Sequence, residues 1–155
     1  MTNFDLEHQA RRLNLPLVAI TNKDKVPPYR RQGHYIWNLQ DDEDHNGNDL
    51  EGSHWVCSII EGKQACYFDP FGFNPPMQVQ HFLKPYKPYA WAKKQIQNPR
   101  SHHCGWFVLY FLYWMNKHKK IKNLASRMDM FLDMFSDDYT KNQTLLERYF
   151  KDFMK

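Results

Sequence analysis

The chain has 155 residues, 42% of them hydrophobic and 16% aromatic, with a formal net charge of +4. That length suits one domain with its own core, residues 1–155, and is too short for two comfortable ones. The aromatic content excludes a disordered or coiled-coil chain, and the small positive charge permits nucleic-acid binding without demanding it. The mean hydropathy of −0.78 reflects surface Lys, Asn, Gln and His. The three cysteines, Cys57, Cys66 and Cys104, are too few and odd in number for a secreted disulfide scaffold. No basic-then-apolar leader follows Met1, and the longest apolar run, Gly105 to Met115, falls short of the roughly 20 residues that span a bilayer. These features predict a soluble protein in a reducing compartment, its thiols free.

In chain order, Asn3 to Leu13 reads as a helix with Leu6, Ala10 and Leu13 on one side. Leu15 to Thr21 is strand-like but begins at Pro16, which predicts a sheet edge. Asn22 to Gly33, with Pro27-Pro28, reads as irregular, and His34 to Leu39 as a second strand. Gln40 to Asp49, acidic and rich in Asn and Gly, reads as a solvated loop. His54 to Ile60 and Gln64 to Phe68 pair as a hairpin through a three-residue loop, Glu61-Gly62-Lys63. Asn74-Pro-Pro-Met leads into a short helix through Leu83, and Tyr89 to Gln95 forms a further strand. From His103 the chain turns helical. Over Thr140 to Lys155, Leu145, Leu146, Tyr149, Phe150 and Phe153 recur at helical spacing, with Thr140 and Gln143 as a capping box. No internal repeat or low-complexity tract interrupts this order.

The richest segment is Pro99-Arg-Ser-His-His-Cys104-Gly-Trp-Phe-Val-Leu-Tyr-Phe-Leu-Tyr-Trp114, which sets one cysteine at the mouth of an apolar helix. The thiolate is the nucleophilic form of cysteine, and a helix N-terminus and a nearby imidazolium both favour it. Gly105 leaves room for a substrate backbone to approach. The helix is apolar on all sides and is therefore expected to be buried and rigid, a fit platform for a nucleophile. His54 opens the first hairpin strand and Asp69, 15 positions on, closes the second; the hairpin brings them side by side, so that the carboxylate can hold the imidazole Nδ1–H. Thiol, imidazole and carboxylate are the parts of a cysteine hydrolase. Gln97, seven residues before Cys104, offers an amide donor for a developing oxyanion beside the Cys104 N–H. Cys57 and Cys66, within strand patterns, read as small core residues.

His54-Trp55, Tyr67-Phe-Asp69-Pro-Phe-Gly-Phe73 and Gln97-x-Pro-Arg-Ser-x-x-Cys104-Gly together resemble the active-site blocks of adenain, the adenovirus maturation protease. The wider group includes the proteases of small ubiquitin-like modifiers and relatives carried by virophages and large DNA viruses. The resemblance runs from about Gly52 to Trp114. It implies an α+β, papain-like fold with a mixed central sheet packed between helices and the nucleophile at the N-terminus of a buried helix. By residue it implies Cys104 as nucleophile, His54 as base, Asp69 as orienter, Gln97 as oxyanion donor and Trp55 as a wall of the substrate groove. It further implies an endopeptidase cutting viral capsid precursors at glycine-containing sites during maturation. Such an enzyme would act in the virion and infected cell as a monomer, needing no metal or cofactor for its chemistry. Adenain has glutamate where this chain has Asp69, and both side chains accept an imidazole N–H. Adenain's activating peptide is held by a disulfide; Lys84 to Lys94, the corresponding stretch, has no cysteine, which argues against such a covalent peptide cofactor. Activation by DNA is left open: Lys117-His-Lys-Lys-Ile-Lys122 is basic, yet cations gather at helix C-termini for dipole reasons alone.

Two other readings compete. A deconjugase of ubiquitin-like modifiers would use the same groove chemistry. A zinc-binding interaction module would draw on His54-x-x-Cys57 and on His102, His103 and Cys104, but zinc needs about four converging donors, usually in paired short spacings. No C-x-x-C occurs, and His102 and His103 read as solvated loop residues or substrate contacts, not as catalytic ones.

Overall fold

Alternating side chains along three adjacent strands explain why this sheet is covered on both faces. The computed structural model describes residues 1–40 and 54–151; apart from Gln40, the expected acidic loop lies outside them. The strands are β1 (Leu17–Asn22), β2 (Gly33–Asn38), β3 (Trp55–Glu61), β4 (Gln64–Phe68) and β5 (Ala90–Trp91), and the helices α1 (Asn3–Arg12), α2 (Met77–Leu83), α3 (Cys104–Lys117), α4 (Leu124–Leu132) and α5 (Tyr139–Phe150). The five strands form one sheet in the order β1-β2-β3-β4-β5. The outer pairs are parallel and the inner ones antiparallel. Tyr35, Trp37, Val56, Ile60, Ala65 and Tyr67 point to the face covered by α2. Ile36, Trp55, Cys57, Ile59, Cys66 and Phe68 point to the other, where α1, α3, α4 and α5 pack. Strands buried on both faces read as continuous apolar runs, and these do.

Helix α3 is the axis of the larger core. Phe111 stacks on Phe68 with ring centroids 4.4 Å apart, and Phe131 of α4 meets Phe111 edge-on at 5.2 Å. On the α2 side the Trp37 indole donates to Ser58 Oγ at 3.0 Å. Among the described residues no helix is long and apolar enough to cross a membrane.

Leu6, Ala10 and Leu13 are buried as the first helix requires, and β1 is the edge strand that Pro16 predicts. Four expectations are corrected. Glu61 pairs with Gln64, so the hairpin loop is the two residues Gly62-Lys63, with Gly62 at φ 62°. A two-residue turn with a left-handed glycine first matches the strand twist better than a three-residue loop. Strand β5 covers only two residues of the expected seven. Beyond Ala92 the backbone leaves the ladder, and Ile96 and Gln97 donate instead to the Pro70 carbonyl at 2.9 and 3.2 Å. The helical C-terminal region is divided, since Asn123 caps a separate α4 by accepting from Ser126 N. Finally α5 is capped by Asp138, which accepts from Thr140 N and Lys141 N; Thr140 and Gln143 form no capping box.

Arg127 of α4 ties three elements together. Its guanidinium, 1% exposed, meets Glu61 at 2.7 Å, and its Nη1 and Nε also donate to Glu61 Oε1 and to the Ile121 carbonyl. Removing the carboxylate leaves that cation buried and unpaired. Glu61→Ala is therefore expected to cost about 3 kcal/mol of stability, read as a lower urea midpoint with an unchanged m-value.

Candidate active site

The hairpin places its two polar residues as its register requires. His54 directly precedes β3 and Asp69 directly follows β4, beside the paired residues Cys57 and Phe68. His54 Nε2 donates to Asp69 Oδ1 at 2.8 Å, and the carboxylate, 1% exposed, is among the most buried polar groups of the chain. The ring is therefore turned opposite to the sequence expectation: Nε2, not Nδ1, faces the carboxylate. Nδ1 points away from that carboxylate and has no hydrogen-bond partner, and His54 and Cys104 line one cleft.

The Asp69-Pro-Phe-Gly run is a tight turn that fixes the carboxylate. Gly72 N donates to the Asp69 carbonyl at 2.8 Å and Phe71 N to Asp69 Oδ1 at 2.8 Å. Proline second and glycine fourth suit such a turn. Gly72 has φ 76°, and a Cβ there would stand 2.9 Å from the backbone of Lys94 and Gln95. Phe71 then lies flat on the His54 ring, centroids 4.6 Å apart at 16°. This contact was not singled out in the sequence, although the residue sits inside the motif that carries Asp69.

Cys104 is the first residue of α3, 6% exposed. The Trp55 backbone N–H donates to its sulfur at 3.5 Å, so the residue after His54 also fixes the Cys104 thiol. Burial opposes the imidazolium of His54. The hydrogen bond to Asp69 and the charges of Asp69 and Cys104 outweigh it, pushing the pKa up to about 9. His54 thus carries its proton at neutral pH and can deliver it to a leaving amine.

Around these groups runs a cleft of about 380 Å³, lined by Met1, Gln40, Trp55, Phe71 and the residues 99–102 along with His54 and Cys104. Trp55 forms a wall, its indole donating to the Met1 carbonyl at 3.1 Å. The expected role of Gly105 is corrected. It faces the interior, where a Cβ would stand 2.7 Å from Met1 Sδ and 3.4 Å from Leu6 Cδ2. Its missing side chain admits the N-terminal segment, not a substrate. Gln97 is fully buried and its Nε2 donates to the Ser101 carbonyl at 3.0 Å, bracing the loop that ends at Cys104. His103 is also not a solvated loop residue, because its Nδ1 accepts from Gln143 Nε2 of α5 at 2.6 Å; His102 is exposed. Cys57 and Cys66 are fully buried in the sheet, their thiols pushed up by burial, Cys66 to about 12. A larger cleft of about 780 Å³ lies between β5 and α4 and contains none of the groups above.

Among solved structures, the selenomethionine crystal structure of the ASFV pS273R protease superposes with a TM-score of 0.50 at 14% identity, covering 76% of this chain and 58% of that one. The likeness is one of fold: a mixed α+β architecture with a five-stranded sheet between helices, shared with that protease. A second structure of the ASFV pS273R protease matches with a TM-score of 0.43 at 14% identity, over 72% of this chain and 55% of that one. HopZ1a in complex with IP6 and CoA matches with a TM-score of 0.44 at 13% identity, over 76% and 40%. The chain thus spans little more than half the length of the ASFV protease. No protein-family model matches the sequence, and no curated protein does.

Proposed function

We propose that this protein is a cysteine endopeptidase that cuts viral structural precursors at glycine-containing sites during virion maturation. The observation that carries the reading is the bond from buried Asp69 to the His54 ring, which lines one cleft together with Cys104 at the start of α3. Cys104 attacks the scissile carbonyl as thiolate. The tetrahedral oxyanion forms at the start of α3, where first-turn amides lack intrahelical partners; Gln97, expected to be a further donor, is fully buried, donates to the Ser101 carbonyl and does not line the cleft. His54 protonates the leaving amine, and a water then displaces the acyl group with His54 as base. A glycine-containing sequence suits a cleft walled by Trp55, Phe71 and residues 99–102.

The zinc-module alternative is disfavoured because Cys57 lies fully buried in the core while His54 is committed to Asp69. The deconjugase alternative shares the cleft and is separated by substrate. Native protein and Cys104→Ala are incubated with candidate capsid precursors and with a ubiquitin-like modifier bearing a C-terminal extension, and the products are read by intact mass. Precursor cleavage after or beside glycine by the native protein alone is the expected result. Cleavage confined to the modifier fusion would replace this reading with the deconjugase, and equal cleavage by Cys104→Ala would remove the protease altogether.

A further inference from the structure

The loop from Gln97 to His103 is a partition with open space on both sides. On one side is the catalytic cleft; on the other is a second cleft of about 460 Å³ between the loop and α5, and both are lined by Arg100, Ser101 and His102. Inside the loop, Ser101 N donates to the Asn98 carbonyl at 2.9 Å, Arg100 N to Asn98 Oδ1 at 3.0 Å and His103 N to Ser101 Oγ at 3.1 Å. These bonds stiffen the loop without fixing where it stands. Its two ends are held from outside by consecutive residues of α5. Asn142 Nδ2 donates to the Ile96 carbonyl at 3.0 Å, just before Gln97, and Gln143 Nε2 donates to His103 Nδ1 at 2.6 Å, just before Cys104. Gln143 Nε2 also donates to Glu147 Oε1 at 3.0 Å. A carboxylate of that kind only accepts, so the amide orientation is set and the His103 ring serves as a neutral acceptor at Nδ1.

We propose that α5 is a positioning element for the nucleophile, with Gln143 acting on Cys104 through His103. The proposal rests on the reading of Cys104 as nucleophile. Asn142 has a structural duty besides, since it also accepts from Ser136 N at 3.0 Å and donates to the Ser136 carbonyl at 2.8 Å. Gln143 has no comparable tie to the core; its partners are His103 and an exposed carboxylate. A displacement of about 1 Å in a reacting group costs up to about 100-fold in rate, so loss of this hold shows in turnover before it shows in stability.

The test compares native protein, Gln143→Ala, His103→Ala, the double variant and Thr144→Ala, whose exposed hydroxyl bonds only within α5. Two rates are read: kcat and KM on a cleaved peptide, and alkylation of Cys104 by iodoacetamide followed by mass. Gln143→Ala and His103→Ala are each expected to lower kcat and the alkylation rate about tenfold with KM unchanged, the double variant no further. Gln143→Asn, one carbon too short to reach His103, behaves as the alanine variant does, while Thr144→Ala matches native protein. Thermal melts separate loss of fold from loss of alignment, and if Gln143→Ala unfolds, His103→Ala decides. Native rates in Gln143→Ala and His103→Ala, or losses that multiply in the double variant, overturn the proposal. If native protein neither cleaves nor alkylates at Cys104, the nucleophile reading fails instead.

Discussion

Replacing Cys104 by alanine is expected to lower peptide hydrolysis by on the order of 10⁶-fold, while Cys57→Ala and Cys66→Ala keep kcat near native. The asymmetry follows from where each sulfur sits. Cys104 opens a helix, receives the Trp55 N–H and shares its cleft with the His54 imidazole, whose pKa is raised to about 9. Cys57 and Cys66 lie fully buried on the core side of neighbouring strands, and burial holds both as neutral thiols. Their loss removes a little packing and costs stability, not chemistry. Serine at 104 keeps the shape but supplies a hydroxyl far harder to ionise, so Cys104→Ser is expected to be as inactive as alanine. Initial rates and melting temperatures measured on the same samples check the contrast.

The second large effect is at Asp69, and two substitutions divide it into parts. Asp69→Ala removes the acceptor of His54 Nε2 and of Phe71 N together. The ring loses its orientation and the turn that stacks Phe71 on it loosens, so kcat/KM is expected to fall by on the order of 10⁴-fold. Asp69→Asn keeps an oxygen in place for both donors but removes the charge, so the loss is expected to be much smaller. Its signature is in pH. His54 is raised to about 9 in the native protein, above its ordinary 6.5, so the imidazolium required by the leaving amine persists through neutral pH and is lost as pH climbs through about 9. Native kcat/KM therefore declines on the alkaline side near that value. In Asp69→Asn the charge that helps raise the pKa is gone, and the decline moves towards neutral pH. The same shift makes the His54 contribution to stability complete below pH 6.5 and lost above about 9.

The proposed trio drew notice because each member stands at a punctuation mark of the chain: His54 at a strand start, Asp69 before a proline, Cys104 at the beginning of an apolar helix; the structure pairs His54 with Asp69 and sets Cys104 in the cleft that His54 lines. Strand and helix patterns then placed β1 to β4 and α3, while β5 was overextended. Which ring nitrogen meets which partner was not legible, since a strand-start histidine can present either. Gly105 misled for a similar reason: a missing side chain announces a close approach without naming what approaches, here Met1 and Leu6. The long-range pairs join residues far apart in sequence: Arg127 with Glu61 across 66 positions at the hairpin turn, and Gln143 with His103 across 40 beside Cys104. Single-chain periodicity carries no signal for these. The separation of α4 from α3 was hidden because apolar spacing runs on past the basic turn after Lys117, and only the Asn123 cap marks the new start.

The central claim is that His54 stands between Asp69 and Cys104 as a cation at neutral pH. Titration of its ring by nitrogen-detected NMR, in protein labelled at histidine and assigned with a His54→Gln variant, measures this directly. A midpoint near 9, with Nε2 as the nitrogen bonded to carboxylate, is the expected result. A midpoint at or below 6.5, or an Nε2 free of the carboxylate, contradicts the account.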